Sequence, residues 1–308
     1  MISFLQGDVF DKLKELDDNS IDCVVTSPPY WGLRDYGVLG QLGLEPTYQE
    51  HIQNIVKLFR VMKPKLKDSA TVWLNYGDSY AATVNGTKAK DIKNDDRGFV
   101  DKPFSTIQGS IKPKDLVMIP NRIAIALQDD GWWIRSEIIW HKPNPMPEST
   151  KDRPTSCHEK IWLITKSKKY YYDADAIREP VAQGTITRLS EKNLKNQKGS
   201  TRGNGGMKPN GNMKAVGNME TKNKRNVWTI TTKPCKEAHF ATFPKDLIEP
   251  CIKAGCPEGG VVLDPFGGSG TTGIVAKSLN RTAILIELNP SYIEIAKKRI
   301  DKELGMFK

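Results

Sequence analysis

The sequence predicts an α/β fold: a doubly wound, mostly parallel sheet with helices on both faces, interrupted by an irregular basic insertion. Three observations predict it. Short apolar runs alternate with amphipathic stretches over the first 80 residues and again beyond residue 240. The run "GGSGTTG", Gly267 to Gly273, joins an apolar segment to a helical one, as the strand–turn–helix units of parallel sheets do. Between the two α/β halves, residues 184–226 are poor in apolar side chains and rich in Gly, Asn and Lys, so they cannot supply much core.

Taken in order, residues 2–5 form a first strand, 9–16 a helix and 21–25 a buried strand, "IDCVV". Thr47, followed three residues later by Glu50, has capping-box spacing and opens a helix to about Met62, stopped by Pro64. Residues 70–74 are a strand. Residues 83–113 are polar and rich in Gly, Lys and Asp, a loop long enough to be functional or disordered. A helix over 115–127 and strands over 132–140 and 161–165 follow. After the insertion come a helix over 244–253, a strand over 260–263, a helix over 271–279 and a strand over 282–286. Asn289 and Pro290 provide the cap and first turn of a last helix ending near Leu304. There is no internal repeat.

The chain of 308 residues, 38% hydrophobic and 27% charged, has the composition of a globular protein with a sizeable core. No apolar run approaches the roughly 18 residues of a membrane helix. The N-terminus lacks a basic start and an apolar core, so no secretory signal is expected. Five scattered cysteines form no zinc-like pair of pairs and suit a reducing cytoplasm. The net charge of +10 favours a polyanion partner. Most of it is local: residues 184–226 carry ten Lys or Arg against two Glu, an excess of eight.

Two stretches carry the chemistry. "TSPPYWGLRDYG" begins at Thr26, where consecutive prolines stop a buried strand between a serine and two aromatics. "VVLDPFGGSGTTG", Val261 to Gly273, ends an apolar strand in Asp264 and turns through small residues into a helix. No lysine follows Gly270, which excludes a P-loop. Gly268-Ser269-Gly270-Thr271-Thr272-Gly273 matches the letters of a dinucleotide fingerprint, and a plain tight turn is the alternative. Glu287 ends the next strand about twenty residues on, where an acid can accept from ribose hydroxyls; a solvated strand end is the alternative.

Together "DPFGGSGTT" and "TSPPY" resemble the S-adenosylmethionine-dependent DNA amino-methyltransferases, and their order resembles the β group of that family. The resemblance covers the chain except its two polar loops. It implies a Rossmann-like methyltransferase fold in three parts: a catalytic half, 1–175, with the loop 83–113; a target-recognition insertion, 176–235, partly disordered without a partner; and a cofactor-binding half, 236–308. It implies that Asp264 sits near the methionine end of S-adenosylmethionine and that Phe266 packs against it. Gly267, Gly268, Ser269, Gly270, Thr271 and Thr272 would form the loop, with Glu287 on the ribose. "HFATFPKDLIEP" resembles the segment that contacts the methionine moiety, with Thr242 and Phe243 as candidates, and "LQGDVFDKL" would place Asp8 by the adenine ring or leave it a turn residue.

An exocyclic amine of cytosine or adenine is a poor nucleophile because its lone pair is delocalised into the ring. Ser27 Oγ and the Pro28 carbonyl, made rigid by Pro29, can accept its N–H bonds and localise that pair. Tyr30 offers a stacking face for a flipped base. Ser-Pro-Pro-Tyr resembles the cytosine-N4 members more than the adenine-N6 ones. "WLNYGDSY" and "IIWHKPNPMPES" strengthen that likeness, with Trp140, His141, Lys142 and Asn144 as candidates to line the base pocket or its rim. The expected partner is double-stranded DNA, reached by Arg188, Arg202, Lys208, Lys224 and Arg225 of the insertion, with the loop 83–113 as a second contact. The family setting implies a cognate restriction endonuclease, a cytoplasmic location, and a monomer or homodimer; no metal is expected.

Rival chemistries fit poorly. A cytosine-C5 enzyme needs a nucleophilic cysteine in context, and Pro234-Cys235 lies far from the strand-end motif. "PCKEAH" lacks the ligand spacing of a zinc deaminase. Protein-glutamine and RNA methyltransferases use Asn-Pro-Pro-Tyr after the cofactor loop, the reverse of the order here. An inert DNA-binding module need not keep both motifs intact.

Overall fold

The computed structural model describes residues 1–83, 100–190, 220–232 and 243–305. In chain order its strands are β1 (Ile2–Gln6), β2 (Ile21–Thr26), β3 (Arg34–Asp35), β4 (Leu66–Tyr76), β5 (Val100–Asp101), β6 (Trp133–His141), β7 (His158–Thr165), β8 (Glu179–Pro180), β9 (Thr221–Lys222), β10 (Val227–Thr229), β11 (Val261–Asp264) and β12 (Thr282–Glu287). Among the described residues the helices are α1 (Val9–Lys14), α2 (Tyr48–Met62), α3 (Ile119–Asp129), α4 (Gln183–Ser190), α5 (Lys245–Gly255), α6 (Thr271–Ser278) and α7 (Pro290–Leu304). Two compact units result: Met1–Tyr172 with Asn226–Lys308, and Asp173–Arg225.

The first unit holds an eight-stranded sheet of order β1–β12–β11–β2–β4–β7–β6–β10. Five neighbouring pairs are parallel; β7 pairs antiparallel with both β4 and β6. The expected α/β, mostly parallel sheet is therefore present. Residues of one strand serve both layers, as the two-residue period demands. Val72, Leu74 and Tyr76 of β4 enter the core shared with α1, α2 and α3, whereas Thr71 Oγ1 donates to the Gly255 carbonyl of α5 at 2.9 Å. Helix α2 forms where its cap predicts, with Thr47 Oγ1 accepting from Glu50 N at 3.2 Å, and it buries Ile55, Leu58, Phe59 and Met62 along one stripe.

The main sheet and its helices depart from the sequence reading in four places. Helix α3 starts at Ile119, four residues later than expected, because Lys114 and Met118 have left-handed φ of 72° and 64° and Pro120 favours a first turn. Strand β4 extends beyond residues 70–74 in both directions, into the polar positions Lys67–Ser69 and Asn75–Tyr76. Strand β7 begins at His158, three polar residues before the apolar run. The expected insertion, 176–235, instead yields Val227–Thr229 to the main sheet, where it pairs with Ile139–His141.

The second unit, Asp173–Arg225, contains helix α4 and the antiparallel pair β8–β9, structure that the polar composition did not suggest. Arg178 ties it together, donating to Thr221 Oγ1 at 2.8 Å and to the Thr221 carbonyl at 3.0 Å. Of the polar loop expected over 83–113, residues 84–99 lie outside the described residues; directly after them Val100–Asp101 pairs with Arg34–Asp35.

Candidate active site

Strands β11 and β2 are adjacent and parallel, with Leu263 opposite Val24. From this pair the connections diverge, β11 towards β12 and β2 towards β4. The crevice at such a divergence, beyond the carboxyl ends of the strands, is where open α/β sheets bind ligands. The last residues of the two strands meet there: Thr26 Oγ1 donates to Asp264 Oδ1 at 2.8 Å across 238 residues of chain. The double-proline corner and the glycine bend thus leave the sheet side by side.

The glycine corner is made of backbone. Gly268 and Gly270 adopt φ of 48° and 76°, and a Cβ on Gly270 would lie 3.0 Å from that of Ala296. Gly268 N donates to Glu287 Oε2 at 2.8 Å, and Asn289 N donates to Oε1 at 2.9 Å. Asp264 accepts from Thr272 Oγ1 at 2.6 Å and from Phe266 N at 3.1 Å, besides Thr26. Its carboxyl is 1% exposed, and burial lifts it to about 6 against the pull of these hydrogen bonds. Burial also raises Glu287. A buried acid, Asp264, and a half-buried one, Glu287, with only neutral donors among the described residues form a site that a cationic ligand group would complete.

Other expected residues fall around this corner. Gly7 N donates to the Glu287 carbonyl at 3.0 Å, so the Gly7–Asp8 turn lies beside the strand end. Asp8 itself caps α1, accepting from Phe10 N at 2.8 Å through Oδ1. Gly267 is buried, Phe266 half-buried against the main core, and Phe243 half-buried just before α5. Ser269 and Thr271 are buried and share Arg299 of α7: its Nη1 donates to Ser269 Oγ at 2.9 Å and to Thr271 Oγ1 at 2.7 Å. Thr242 lies outside the described residues.

The proline corner is made of side chains. Ser27 Oγ donates to Tyr30 Oη at 3.2 Å, and Tyr30 Oη donates to Glu159 Oε2 at 2.8 Å. Asn75 Nδ2 donates to the same Glu159 oxygen at 3.1 Å, and Lys142 Nζ is ion-paired with Glu159 Oε1. The Tyr30 ring stacks on Tyr76 at 4.4 Å, so one of its two faces is occupied. Tyr76 is fixed in turn: its Oη accepts from Trp31 N at 2.8 Å and meets His51 Nε2 at 2.8 Å, while His51 Nδ1 meets Glu45 Oε2 at 2.8 Å. Burial raises both phenols well above their ordinary range, with the Glu159 charge adding to the effect at Tyr30, so both remain protonated donors. Pro28 is buried and Pro29 half-buried, and among the described residues no donor is bonded to the Pro28 carbonyl.

A sequence profile of the DNA methylase family matches residues 21–298. Among curated proteins, the type II methyltransferase M.Cfr9I of Citrobacter freundii is 44% identical over 98% of this chain and 88% of its own length. M.SmaI of Serratia marcescens, also a type II methyltransferase, is 45% identical over 96% of this chain and 89% of its own. The chain belongs to the DNA methylase family, the S-adenosylmethionine-dependent amino-methyltransferases. Solved structures agree on the fold of this DNA methylase. The cytosine-N4-specific PvuII DNA methyltransferase superposes with a TM-score of 0.63 at 19% identity, over 99% of this chain and 91% of that one. TTHA0409 of Thermus thermophilus, solved with S-adenosyl-L-methionine, gives 0.59 at 21%, over 99% and 96%.

The DNA methylase's other sequence candidates are dispersed. Trp140, His141 and Asn144 tie the end of β6 and the residues after it to β10 and the segment beyond: Trp140 Nε1 donates to the Ile230 carbonyl at 2.8 Å, His141 Nδ1 meets Thr229 Oγ1 at 3.1 Å, and Asn144 Nδ2 donates to Thr232 Oγ1 at 2.9 Å. Lys142 alone of that set joins the proline corner. Of the expected DNA contacts, Arg202 and Lys208 lie outside the described residues, Arg188 falls on α4, and Lys224 and Arg225 end the second unit, Arg225 paired with Glu179 at 2.5 Å. Sequence reasoning missed Glu159 and Arg299. Neither belongs to a local motif, and only pairing the start of β7 with the end of β6, or packing α7 on the loop, brings them in. In both respects this is a DNA methylase whose supporting residues lie far in sequence from its motifs.

No helix among the described residues is long and apolar enough to cross a membrane, and they contain no cluster of potential metal ligands.

Proposed function

We propose that this chain is a site-specific type II methyltransferase that moves a methyl group from S-adenosylmethionine to N4 of a flipped cytosine in double-stranded DNA. The observation that carries the reading is the 2.8 Å hydrogen bond from Thr26 to Asp264, which joins the two motif-bearing strand ends and sets Ser27 one residue beyond the joint.

The residues at the glycine corner suit the proposed cofactor. The Gly268–Thr272 turn offers close backbone approach, Glu287 offers carboxylate oxygens for ribose hydroxyls, and Asp264 offers negative charge for the cationic methionine end, with Phe266 and Asp8 as further candidate contacts and Phe243 just before α5. When bound, S-adenosylmethionine supplies an electrophilic methyl carbon on a sulfonium centre. Ser27 Oγ and the Pro28 carbonyl accept the N–H bonds of the target amine and localise its lone pair. Tyr30 is the stacking partner for the base, through the ring face that does not lie on Tyr76. Holding the amine in line with the methyl carbon is the main catalytic task.

The choice of cytosine N4 rests on Ser-Pro-Pro-Tyr, since a serine hydroxyl can serve either amine but this motif resembles the cytosine set. The basic run 184–226 is read as the target-recognition segment, and the type II names of the relatives point to a restriction-modification setting with a cognate endonuclease. Cytoplasmic location and a monomeric or dimeric state belong to the same proposal. The test is direct: methylate unmodified DNA with the purified protein, digest to nucleosides and weigh them. N4-methylcytosine is expected; N6-methyladenine would assign the other amine, and no methylated base would overturn the reading.

A further inference from the structure

We propose that Glu159, clamped by Lys142, is a positioning residue that acts through Tyr30 to hold Ser27 as a hydrogen-bond acceptor for the target amine. The inference rests on the function proposed above and deepens it by naming what gives Ser27 its polarity.

A serine hydroxyl rotates and can donate as readily as accept. To accept an amine N–H, Ser27 must keep a lone pair towards the base and send its own proton elsewhere. The structure provides that destination in Tyr30 Oη, 3.2 Å away. The phenol can receive this bond well only if its own proton is committed to a third group. Two acceptors lie in reach, Glu159 Oε2 at 2.8 Å and Asn75 Oδ1 at 3.4 Å. The shorter bond to an ionised oxygen is the stronger one. The chain of bonds therefore has one sense: Ser27 to Tyr30 to Glu159.

The surroundings keep that sense. Lys142 Nζ holds the other carboxylate oxygen, and Asn75 Nδ2 donates to the first at 3.1 Å, so Glu159 is supplied with donors on both oxygens. Tyr30 is held in place by its ring stacking on Tyr76 at 4.4 Å, and the absence of a side chain at Gly77 leaves room for it, since a Cβ there would sit 2.8 Å from Tyr30 Cε2. The reversed direction of β7 is what makes the contact: it brings the start of that strand to the edge where β2 and β4 end, and pairs Glu159 with Trp140. An ion pair that only joined β6 to β7 would not need the phenol between it and Ser27.

The test is a double-mutant cycle on the rate of a single methyl transfer, measured by rapid quench with the full chain, saturating cofactor and duplex DNA. Glu159→Gln is expected to slow transfer by about 10- to 100-fold while cofactor affinity stays within about twofold. Tyr30→Phe breaks the chain at its middle, so Glu159→Gln in that background should cost less than about twofold more. An unchanged rate in Glu159→Gln, or an equal loss with and without the Tyr30 hydroxyl, would overturn the inference. Should Glu159→Gln fail to bind cofactor, Glu159→Asp enters the same cycle: it keeps the charge but withdraws it from Tyr30, and its effect must also vanish once Tyr30→Phe is present. The underlying reading fails separately, if the wild type methylates no base or if Ser27→Ala transfers at full rate; an active, Ser27-dependent enzyme with an indifferent Glu159 overturns this inference alone.

Discussion

The two corners of the crevice are built in opposite ways. The glycine corner depends on backbone: left-handed glycines, amide donors to Glu287 and a helix that begins within the motif itself. The proline corner depends on side chains drawn from two strands and two strand-end segments: Ser27 and Tyr30 after β2, Asn75 in β4, Glu159 in β7, and Lys142 just after β6. A backbone cradle needs particular residues at consecutive positions, because each φ is set locally. A side-chain network needs only that the right groups arrive together, from wherever the topology brings them. The first should therefore fail by losing ligand, and the second by losing rate.

The largest effect expected is on the rate side. Ser27→Ala removes the acceptor without touching Asp264, so the single-turnover rate should fall by about 100-fold or more while cofactor affinity changes little. Equal losses in both would show the corners to be one functional unit. The converse test is Asp264→Asn, expected to weaken cofactor binding by about 10- to 100-fold in calorimetry, as loss of a buried charge facing a cation does. It should also stabilise the ligand-free protein. Burial raises the Asp264 carboxyl from an ordinary 3.8 to about 6, so the folded state takes up a proton more readily than the unfolded one. The associated stability is complete below the ordinary value and is lost as pH rises through about 6. The Asn variant lacks that loss; its advantage should be absent near pH 4 and reach about 1–3 kcal/mol above pH 6. A variant no more stable than wild type at pH 7 would mean that the carboxylate is better solvated than its surroundings indicate.

The same contrast explains what could be read before folding. The strand–turn–helix around Asp264, the capping of α2 and the abrupt end of β2 at Pro28 each follow from neighbouring residues, and all were legible. The sequence starts helix α3 four residues early because the apolar pattern begins before the left-handed Met118, a conformation that composition does not reveal. The apolar pattern stops short of the start of β7 because His158, Glu159 and Lys160 are polar, and Glu159, which serves the site, sits on that stretch of strand. Val227–Thr229 reads as part of the insertion because three residues beside a basic run carry no periodic signal; only pairing with β6 makes them a strand. Arg299 looked like any helix cation.

Gly77→Ala probes the proline corner more gently. Its new Cβ would meet Tyr30 Cε2 at 2.8 Å and Glu159 Cδ at 3.2 Å, so the ring or the carboxylate must shift. Cofactor affinity should hold, while the transfer rate falls by about 10-fold, the cost of misplacing groups by a fraction of an ångström. An unchanged rate would mean that Tyr30 tolerates displacement, which would weaken the case for an orienting network.

The smallest effect is expected where the glycine corner borrows a side chain. Arg299 reaches from α7 to the Ser269 carbonyl at 3.2 Å, to Ser269 Oγ at 2.9 Å and to Thr271 Oγ1 at 2.7 Å, and its Nε is held by Glu303 at 3.1 Å. These bonds do not create the left-handed turn, which Gly268 and Gly270 adopt for steric reasons; they narrow its motion. Arg299→Ala should therefore raise the cofactor dissociation constant by about 3- to 10-fold, roughly one charge-assisted hydrogen bond, and leave the rate at saturating cofactor unaltered. Arg299→Lys puts a single charged centre in place of the fork, so it should recover less than half of the loss in free energy. If Arg299→Ala lowered the saturated rate instead, the glycine corner would be reporting on the chemistry as well as on binding, and the division between a backbone corner that holds and a side-chain corner that reacts would have to be abandoned.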